Sequence, residues 1–410
     1  MAASPLPASP DPASAAPGNW KQHLYLLLAL NTCNHIQNAG GRFAVVLFAV
    51  HQPASPLLVG VLMGLHSLVP ALSSVRIGRM LDRSRNLRLP LLVSAIITSA
   101  GALLPYFWDS IAALFIFSIV NGSAYNVFRI GSQQLTGRYG GPDDRPASYN
   151  LYSQGLAAGN LVAPLIGGFA IDYFGFRYAF LVLACMALPS VLVCAMGRHY
   201  LPPADYLKPA GDKGQPGTDQ RSIWTLFRIP MLRRVLIAGV VLMSVWDMFT
   251  FAWPQYGSQL AFSASQIGIV ASVFYSGTFI VRIFATLLLR HFSQWQLLIL
   301  AMLISSGLFL GFPWLSSILA LALLSLILGL VLGIIQPMTM SLVYDEAPED
   351  RKGEVIGLRL TLAFSLHIAI PLLAGAVASV LGLASIWIIA ALILLLGGWM
   401  ARGQWHYRRS

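Results

Sequence analysis

Pro164-Leu165-Ile166-Gly167-Gly168, in the middle of one long apolar stretch, recurs as Pro371-Leu372-Leu373-Ala374-Gly375 in the middle of another. Upstream of each stands a charged turn, Pro142-Asp143-Asp144-Arg145 before the first and Pro348-Glu349-Asp350-Arg351 before the second. Downstream, Gly175 recurs as Gly382. The offset is about 206–207 positions throughout, half of a 410-residue chain. Chance matching of small residues explains one such pair. Three pairs in the same order mark an internal repeat.

The composition says where the two halves reside. Hydrophobic residues make up 57% of the chain and charged residues 10%, and the mean hydropathy is +0.70. A soluble domain is nearer a quarter charged, so most of this surface must be hidden in lipid. Cys33, Cys185 and Cys194 all fall inside apolar stretches, too few and too buried for a disulfide framework and spaced like no metal site. Residues 1–19 are rich in Pro, Ala and Ser with one acid, Asp11. They lack the basic start and apolar core of a signal peptide and read as a disordered cytoplasmic tail.

A helix needs roughly 20 apolar residues to cross the hydrocarbon. Candidate spans lie near Gln22–Ala49, Pro56–Ile77, Leu89–Trp108, Ser110–Gly137, Ala147–Ile171 and Phe176–Gly197. A second set lies near Leu232–Tyr256, Ala264–Leu289, Trp295–Trp314, Ser316–Val343, Gly353–Val380 and Leu383–Arg402. The chain therefore reads as an all-α membrane protein of twelve transmembrane helices in two six-helix repeats. Its expected parts are the tail 1–19, an N-terminal half 20–197, a linker 198–231, a C-terminal half 232–402 and a tail 403–410.

Basic residues set the expected orientation. Arg79–Arg88, Arg138–Arg145, Arg198–Arg234, Arg290 and Arg351–Lys352, with both termini, hold nearly all the Lys and Arg outside the spans, whereas the opposite loops hold essentially Arg177. This asymmetry places the linker and both termini in the cytoplasm, with the protein in a bacterial inner membrane. It also accounts for the net charge of +11, so nucleic acid is not an expected partner. Six spans separate the repeats, so the halves share an orientation about an axis along the membrane normal, an arrangement found in secondary transporters.

Three motifs resemble the major facilitator superfamily, over essentially the whole chain from Trp20 to Arg402. Gly78-Arg79-Met80-Leu81-Asp82-Arg83 resembles that family's G-x-x-x-D-R loop between the second and third spans. Gly159-Asn160-Leu161-Val162-Ala163-Pro164-Leu165-Ile166-Gly167-Gly168 is similar to its fifth-span motif G-x-x-x-G-P-x-x-G-G, with Ala163 in place of a Gly. Phe174-Gly175-Phe176-Arg177-Tyr178-Ala179-Phe180 is similar to the G-W-R-W-x-F start of the sixth span. The fifth-span motif belongs to the drug:proton antiporter branch, so the resemblance implies efflux. It also implies that Asp82, with Gly78 and Arg83, latches against the start of the eleventh span near Gly353, where free N–H groups favour an anion. The plainer reading of Asp82 is a loop salt bridge worth ~0–1 kcal/mol.

Gly155, Gly159, Ala163 and Gly167 lie four apart and so share one helix face, which permits close helix approach. Pro164 adds a bend, and the face is expected to form the sliding seam between the halves, the plainer reading being generic small-residue packing. Polar groups inside the spans mark function, because a charge costs ~2.5–3.5 kcal/mol at the bilayer centre even on lenient scales. Asn31, Asn34, His35, Asn38 and Arg42 fall on about a third of the first span's circumference; Asn121, Tyr125, Arg129 and Gln133 recur at four-residue spacing in the fourth. The seventh span carries Trp246, Asp247, Thr250 and Trp253, and the tenth carries Gln336, Thr339 and Tyr344. In the resembled family, spans one, four, seven and ten line a central cavity. The expected substrate cavity is accordingly Asn34, Asn38, Arg42, Tyr125, Arg129, Trp246, Trp253 and Gln336.

Of fifteen acids, only Asp247 lies in mid-span. It is the candidate for proton coupling, with His35 in reserve; the alternative is a permanent ion pair with Arg42, Arg129, Arg282 or Arg359. His35, His66 and His367 share no span at ligand spacing, so no metal is expected. No G-x-x-x-x-G-K-[ST] loop is present, so ATP-driven pumping is excluded, and no cofactor is implied. The sequence therefore predicts a monomeric secondary transporter whose partners are a small molecule, protons and the bilayer. The expected activity is proton-coupled efflux of an anionic or amphipathic molecule, drug-like or siderophore-like. A proton-coupled importer of an organic acid is the main alternative, and a receptor or membrane enzyme the lesser one.

Overall fold

The computed structural model describes residues 20–84, 86–139, 144–196, 223–348 and 351–405. The first half comprises α1 (Trp20–His51), α2 (Pro56–Arg83), α3 (Arg88–Phe107) and α4 (Ile111–Arg138), then one helical stretch, Arg145–Met196, that breaks at Gly175. The break divides it into α5 (145–174) and α6 (176–196). The second half comprises α7 (Pro230–Gln259), α8 (Ala264–His291), α9 (Gln294–Gly311), α10 (Ile318–Gly333, continued as Ile335–Glu346), α11 (Lys352–Leu381) and α12 (Ala384–Ala401). Among the described residues there is no strand.

Ten helical stretches are long and apolar enough to cross a bilayer. One of them is the 50-residue stretch Ala147–Met196, which is two crossings folded at Gly175. The twelfth crossing is α1, whose 32 residues are ample in length but rich in polar groups. Asn31, Asn34, Gln37 and Asn38 are all buried against other helices, so its polar face never meets lipid.

The repeat is visible in the backbone. Gly175 has φ 80°, ψ 167° and Gly382 has φ 80°, ψ 161°. A side chain at either would be strained, which is why glycine makes the turn in both halves. Other turns are set by serine. Ser55, Ser110, Ser263 and Ser293 each accept a backbone N–H at a helix start, and Ser263 and Ser293 form capping boxes with Gln266 and Gln296. Arg177, the lone base expected on its face, caps α3 instead: its Nε donates to the Tyr106 carbonyl at 2.6 Å.

Part of the expected linker is folded. Ile223–Arg228 forms a 3-10 turn with Leu226 fully buried, and α7 starts at Pro230. Proline suits that first position because its missing N–H has no helical partner to lose. Residues 197–222 and both expected tails up to 19 and beyond 405 lie outside the described residues.

Two seams join the halves, α5 on α8 and α2 on α11. They close at the end of the bundle that holds the turns 52–55, 260–263 and 381–383, called here the far face; the opposite end, with the turn 84–87, is the linker face. A Cβ on Gly168 would strike the Ala264 carbonyl, and one on Gly268 the Pro164 carbonyl. The other seam mirrors this: Gly60 faces the Pro371 carbonyl, and a Cβ on Gly375 would lie 2.6 Å from the Pro56 carbonyl. The repeated Pro–Gly segments thus meet their opposite halves at backbone contact distance.

This corrects the expected seam. Gly155, Gly159 and Gly167 face Thr32, His35 and Phe43 of α1, in their own half, and the Ala163 carbonyl faces Gly40 there. Only Pro164 and Gly168 face α8. One residue advances a helix by about 100°, so these two lie on the neighbouring face. The motif serves two packings at once.

Candidate functional site

A cavity of about 240 Å³ lies between the halves. From the N-terminal half it is lined by His35 and Arg42 of α1, Met63 of α2, and Asn160 and Pro164 of α5. The C-terminal half supplies Trp246, Asp247, Thr250 and Trp253 of α7, Tyr275 of α8 and His367 of α11. The lining is aromatic with a few polar groups converging on it, the usual make-up of a small-molecule site.

Asp247 does not pair with an arginine. Its partner is His367, whose Nδ1 lies 2.8 Å from Oδ2 and 2.9 Å from Oδ1. The Asp247 side chain is 7% exposed and that of His367 36%, so the imidazole is the more open member. The pair ties α7 to α11 within the second half. His367 is the only histidine in the middle of a span of that half, and a buried acid needs a donor nearby. That signal was in the sequence, but spacing arguments confined to single helices passed over it.

His35 sits across the cavity. Its Nδ1 is 2.5 Å from the Tyr125 hydroxyl and its Nε2 is 3.0 Å from Asn160 Oδ1. Tyr125 therefore stands behind His35 rather than in the lining. Arg129 packs over the Phe364 ring of α11 at 5.8 Å, so α4 reaches the other half without lining the cavity. Helices α2, α5, α8 and α11 take up wall positions that the expected set of four did not include. The α4 stripe also dissolves. Four residues advance a helix by 400°, so each step drifts 40°, and Asn121 is buried while Gln133 is exposed.

Asn34 and Asn38 lie inside the N-terminal half, away from the cavity. Asn38 Oδ1 accepts from His66 Nε2 at 2.9 Å and from Asn121 Nδ2 at 3.3 Å, and Gln37 extends the chain to Asn121 at 3.1 Å. Asn34 is fully buried with neither side-chain atom bonded. The interior of the second half is aromatic instead: Phe249 lies 4.2 Å from Phe274, and Phe312 stacks on Trp387 at 4.5 Å. Both walls of the cavity mix polar and apolar groups, and the aromatic ones, Trp246, Phe249, Trp253 and Tyr275, come mainly from the second half. Trp253 Nε1 donates to the Ile267 carbonyl at 2.9 Å.

Of the four mid-span arginines only Arg42 lines the cavity. Arg359 borders a narrow gap between α7, α10 and α11. No ion pair joins Arg42 to a carboxylate among the described residues, and its Nε has no hydrogen-bond partner. Gly78 ends the loop motif's approach with nothing within 4 Å of a Cβ placed there. The side chains of Asp82, Arg83 and Gln336 lie outside the described residues, as do the surroundings of Gly353 in α11.

Residues 27–370 match the Major Facilitator Superfamily. An uncharacterized MFS-type transporter of Bacillus subtilis (strain 168), YuxJ, is 23% identical over 254 residues, which is 60% of this chain and 62% of that protein, less than two thirds of its length. Among solved structures, a bacterial homolog of the human lysosomal transporter Spinster, inward-facing and unoccupied, superposes with a TM-score of 0.77 at 15% identity, covering 95% of this chain and 98% of that one. A peptide transporter of the POT type in complex with sulfate gives 0.78 at 16% identity, covering 97% and 98%. These structures share the fold of two parallel six-helix repeats. With a cavity between its halves and a family match spanning most of its length, the chain belongs to the Major Facilitator Superfamily and is a multi-pass membrane transporter, not an enzyme.

Proposed function

We propose that the protein is a proton-coupled secondary transporter that moves a small organic molecule through this cavity by alternating access, with the Asp247–His367 pair carrying the proton. The observation behind this reading is that pair: a titratable couple bridging two helices of one half, open to the space between the halves. A proton taken up there changes the charge of the cavity wall and biases which face opens. In this reading Asp82, with Gly78 and Arg83, latches the linker face, and the protein works as a monomer in a bacterial inner membrane with both termini in the cytoplasm. The fifth-span motif supports efflux as the direction. Import by symport is the second reading, favoured by the unpaired Arg42, which would take an organic acid.

Proteoliposomes containing the full chain and an entrapped pH indicator test the proposal against a panel of organic anions and amphipathic drugs. At least one compound should move protons with wild-type protein and none with Asp247→Asn. Undiminished proton movement by a well-folded Asp247→Asn variant would overturn the reading. Everted vesicles then separate the directions by which side accumulates the compound.

A further inference from the structure

We infer that the cavity binds a small organic anion on Arg42, and that anion and proton bind so as to strengthen one another, which favours cotransport, the second of the two readings above, over exchange. The inference rests on the proton-carrying reading of Asp247. It starts from charge. Arg42 reaches the cavity from α1, is partly exposed there and has no carboxylate partner among the described residues. The one acid of the lining, Asp247, is already engaged by His367 from α11. The remaining titratable groups within electrostatic reach are Tyr275 of α8, which faces both Arg42 and Asp247, and His35 of α1, His66 of α2 and Tyr125 of α4, which lie within reach of Arg42. None supplies Arg42 with a negative charge. A guanidinium facing an apolar, aromatic space with free donors is matched by a carboxylate or similar anion.

The sign of coupling follows without deciding where the pair keeps its protons. Whichever microstate it occupies, uptake of one proton raises its charge by one. The cavity then holds Arg42 and a wall that is one unit more positive, so an anion binds more tightly. By linkage the bound anion holds the proton equally more tightly. A cationic substrate would show the reverse and compete with the proton, which is the electrostatics of exchange. Because Arg42 belongs to one half and the pair to the other, an anion seated between them also draws the halves together. At about 240 Å³ the cavity is below the ~300–1,000 Å³ of drug-sized sites, so the guest is of metabolite size.

The test uses the full chain in nanodiscs, with intrinsic tryptophan fluorescence, to which Trp246 and Trp253 of the cavity contribute, as reporter and benzoate, benzamide and benzylamine as probes. Benzoate stays ionised above about pH 5, because carboxylates titrate near pH 4. It should bind roughly tenfold more tightly at about pH 5.5 than at about pH 7.5, as expected for one unit charge added nearby. Benzamide should bind weakly at both. Arg42→Gln should remove the preference for benzoate, and Arg42→Lys should keep most of it. The double variant Asp247→Asn, His367→Gln, which removes both titrating members of the pair, should bind benzoate with the same affinity at both pH values. Absence of a saturable benzoate signal, or benzylamine or benzamide binding as tightly, overturns the anion site. Weaker benzoate binding at low pH overturns the sign of coupling. A pH dependence that survives in the double variant overturns the role of the pair while leaving the Arg42 result standing, so the two failures are distinguishable.

Discussion

Asp172, at the far end of α5, accepts the backbone N–H of Ser265 at 2.8 Å through one carboxylate oxygen, and the N–H of Ala264 at 3.0 Å through the other. The two residues belong to opposite halves, so a charged group of one half caps the free N-terminus of a helix in the other. The position 207 residues later, Ser379, bonds to the Ala376 carbonyl of its own helix at 2.8 Å. At the far face, among the described residues, the α5–α8 seam therefore carries a charged clasp where the α2–α11 seam has a serine bonded within its own helix. The clasp must break whenever that face opens.

Replacing Asp172 by Ala should therefore shift the protein toward the state open at the far face. The clasp is solvent-exposed, so its worth lies within the ~0.3–1 kcal/mol of an exposed charge at a helix start, roughly a twofold to fivefold shift in the equilibrium. Spin labels on Ser110 and Ser316, in a background free of Cys33, Cys185 and Cys194, report the separation of the halves there. The longer-distance population should grow in the variant. An unchanged distance distribution would show that the seam glycines alone hold the face shut.

Those glycines yield a sharper test. A methyl group at Gly268 would land on the Pro164 carbonyl, a backbone atom that cannot rotate away. Gly268→Ala should thus hold the far face apart and abolish transport, yet leave each half folded, since the clash lies between halves. Gly307 of α9 has nothing within 4 Å of a Cβ placed there. Gly307→Ala should keep transport and gain up to ~1 kcal/mol from helix propensity. Transport assays and thermal unfolding side by side decide it. Normal transport by Gly268→Ala would mean that the seam is looser than its backbone contacts imply.

Much of this architecture was legible in the chain. Most expected spans lie on one helix each, although Ser316–Val343 covers Ile318–Gly333 and Ile335–Glu346 and Trp295–Trp314 ends in a 3-10 turn, and the Gly175–Gly382 pair shares a backbone conformation. Length, hydropathy and local repeats determine such features. Helix rotation was not legible, because it depends on which neighbour each face meets. So Asn34 and Asn38, which share a stripe with Arg42, ended inside the first half, while Arg42 reached the cavity. Pairings between distant segments were hidden for the same reason: Asp247 with His367, 120 residues on, and Asp172 with Ser265. Single-helix spacing cannot show either one.

The buried network of the first half makes a paired prediction. Asn38→Leu removes the acceptor shared by His66 and Asn121, leaving buried donors unmet at ~1–3 kcal/mol each. Asn34 is equally buried but bonds to nothing through its side chain, so Asn34→Leu deletes a polar group that has no protein partner and should be neutral or stabilising. Thermal unfolding in one detergent compares them directly. Marked destabilisation by Asn34→Leu would show that its amide is satisfied by a group the packing alone does not reveal, such as an internal water.

The last prediction turns on what kind of base holds Asp247. An imidazole can give up its proton, so a neutral residue at 247 leaves no obligatory buried charge behind. Asp247→Asn should therefore fold with near wild-type stability. Had the partner been an arginine, the same change would have stranded a cation at a cost of ~3–5 kcal/mol. The complementary variant is His367→Arg. A guanidinium reaches the same carboxylate and does not release its proton at any working pH. It would hold Asp247 in a permanent ion pair, so the couple could no longer take up and hand on a proton within a cycle. His367→Arg should then be well folded and still exchange labelled compound for unlabelled at equal concentrations, because exchange requires no net proton movement. It should fail to accumulate that compound against a gradient. Proteoliposome assays of exchange and of pH-driven accumulation on the same preparation separate the two activities. Accumulation at the wild-type level by His367→Arg would show that the pair is structural and that the proton travels by another group, with His35, on the opposite wall, the next to replace.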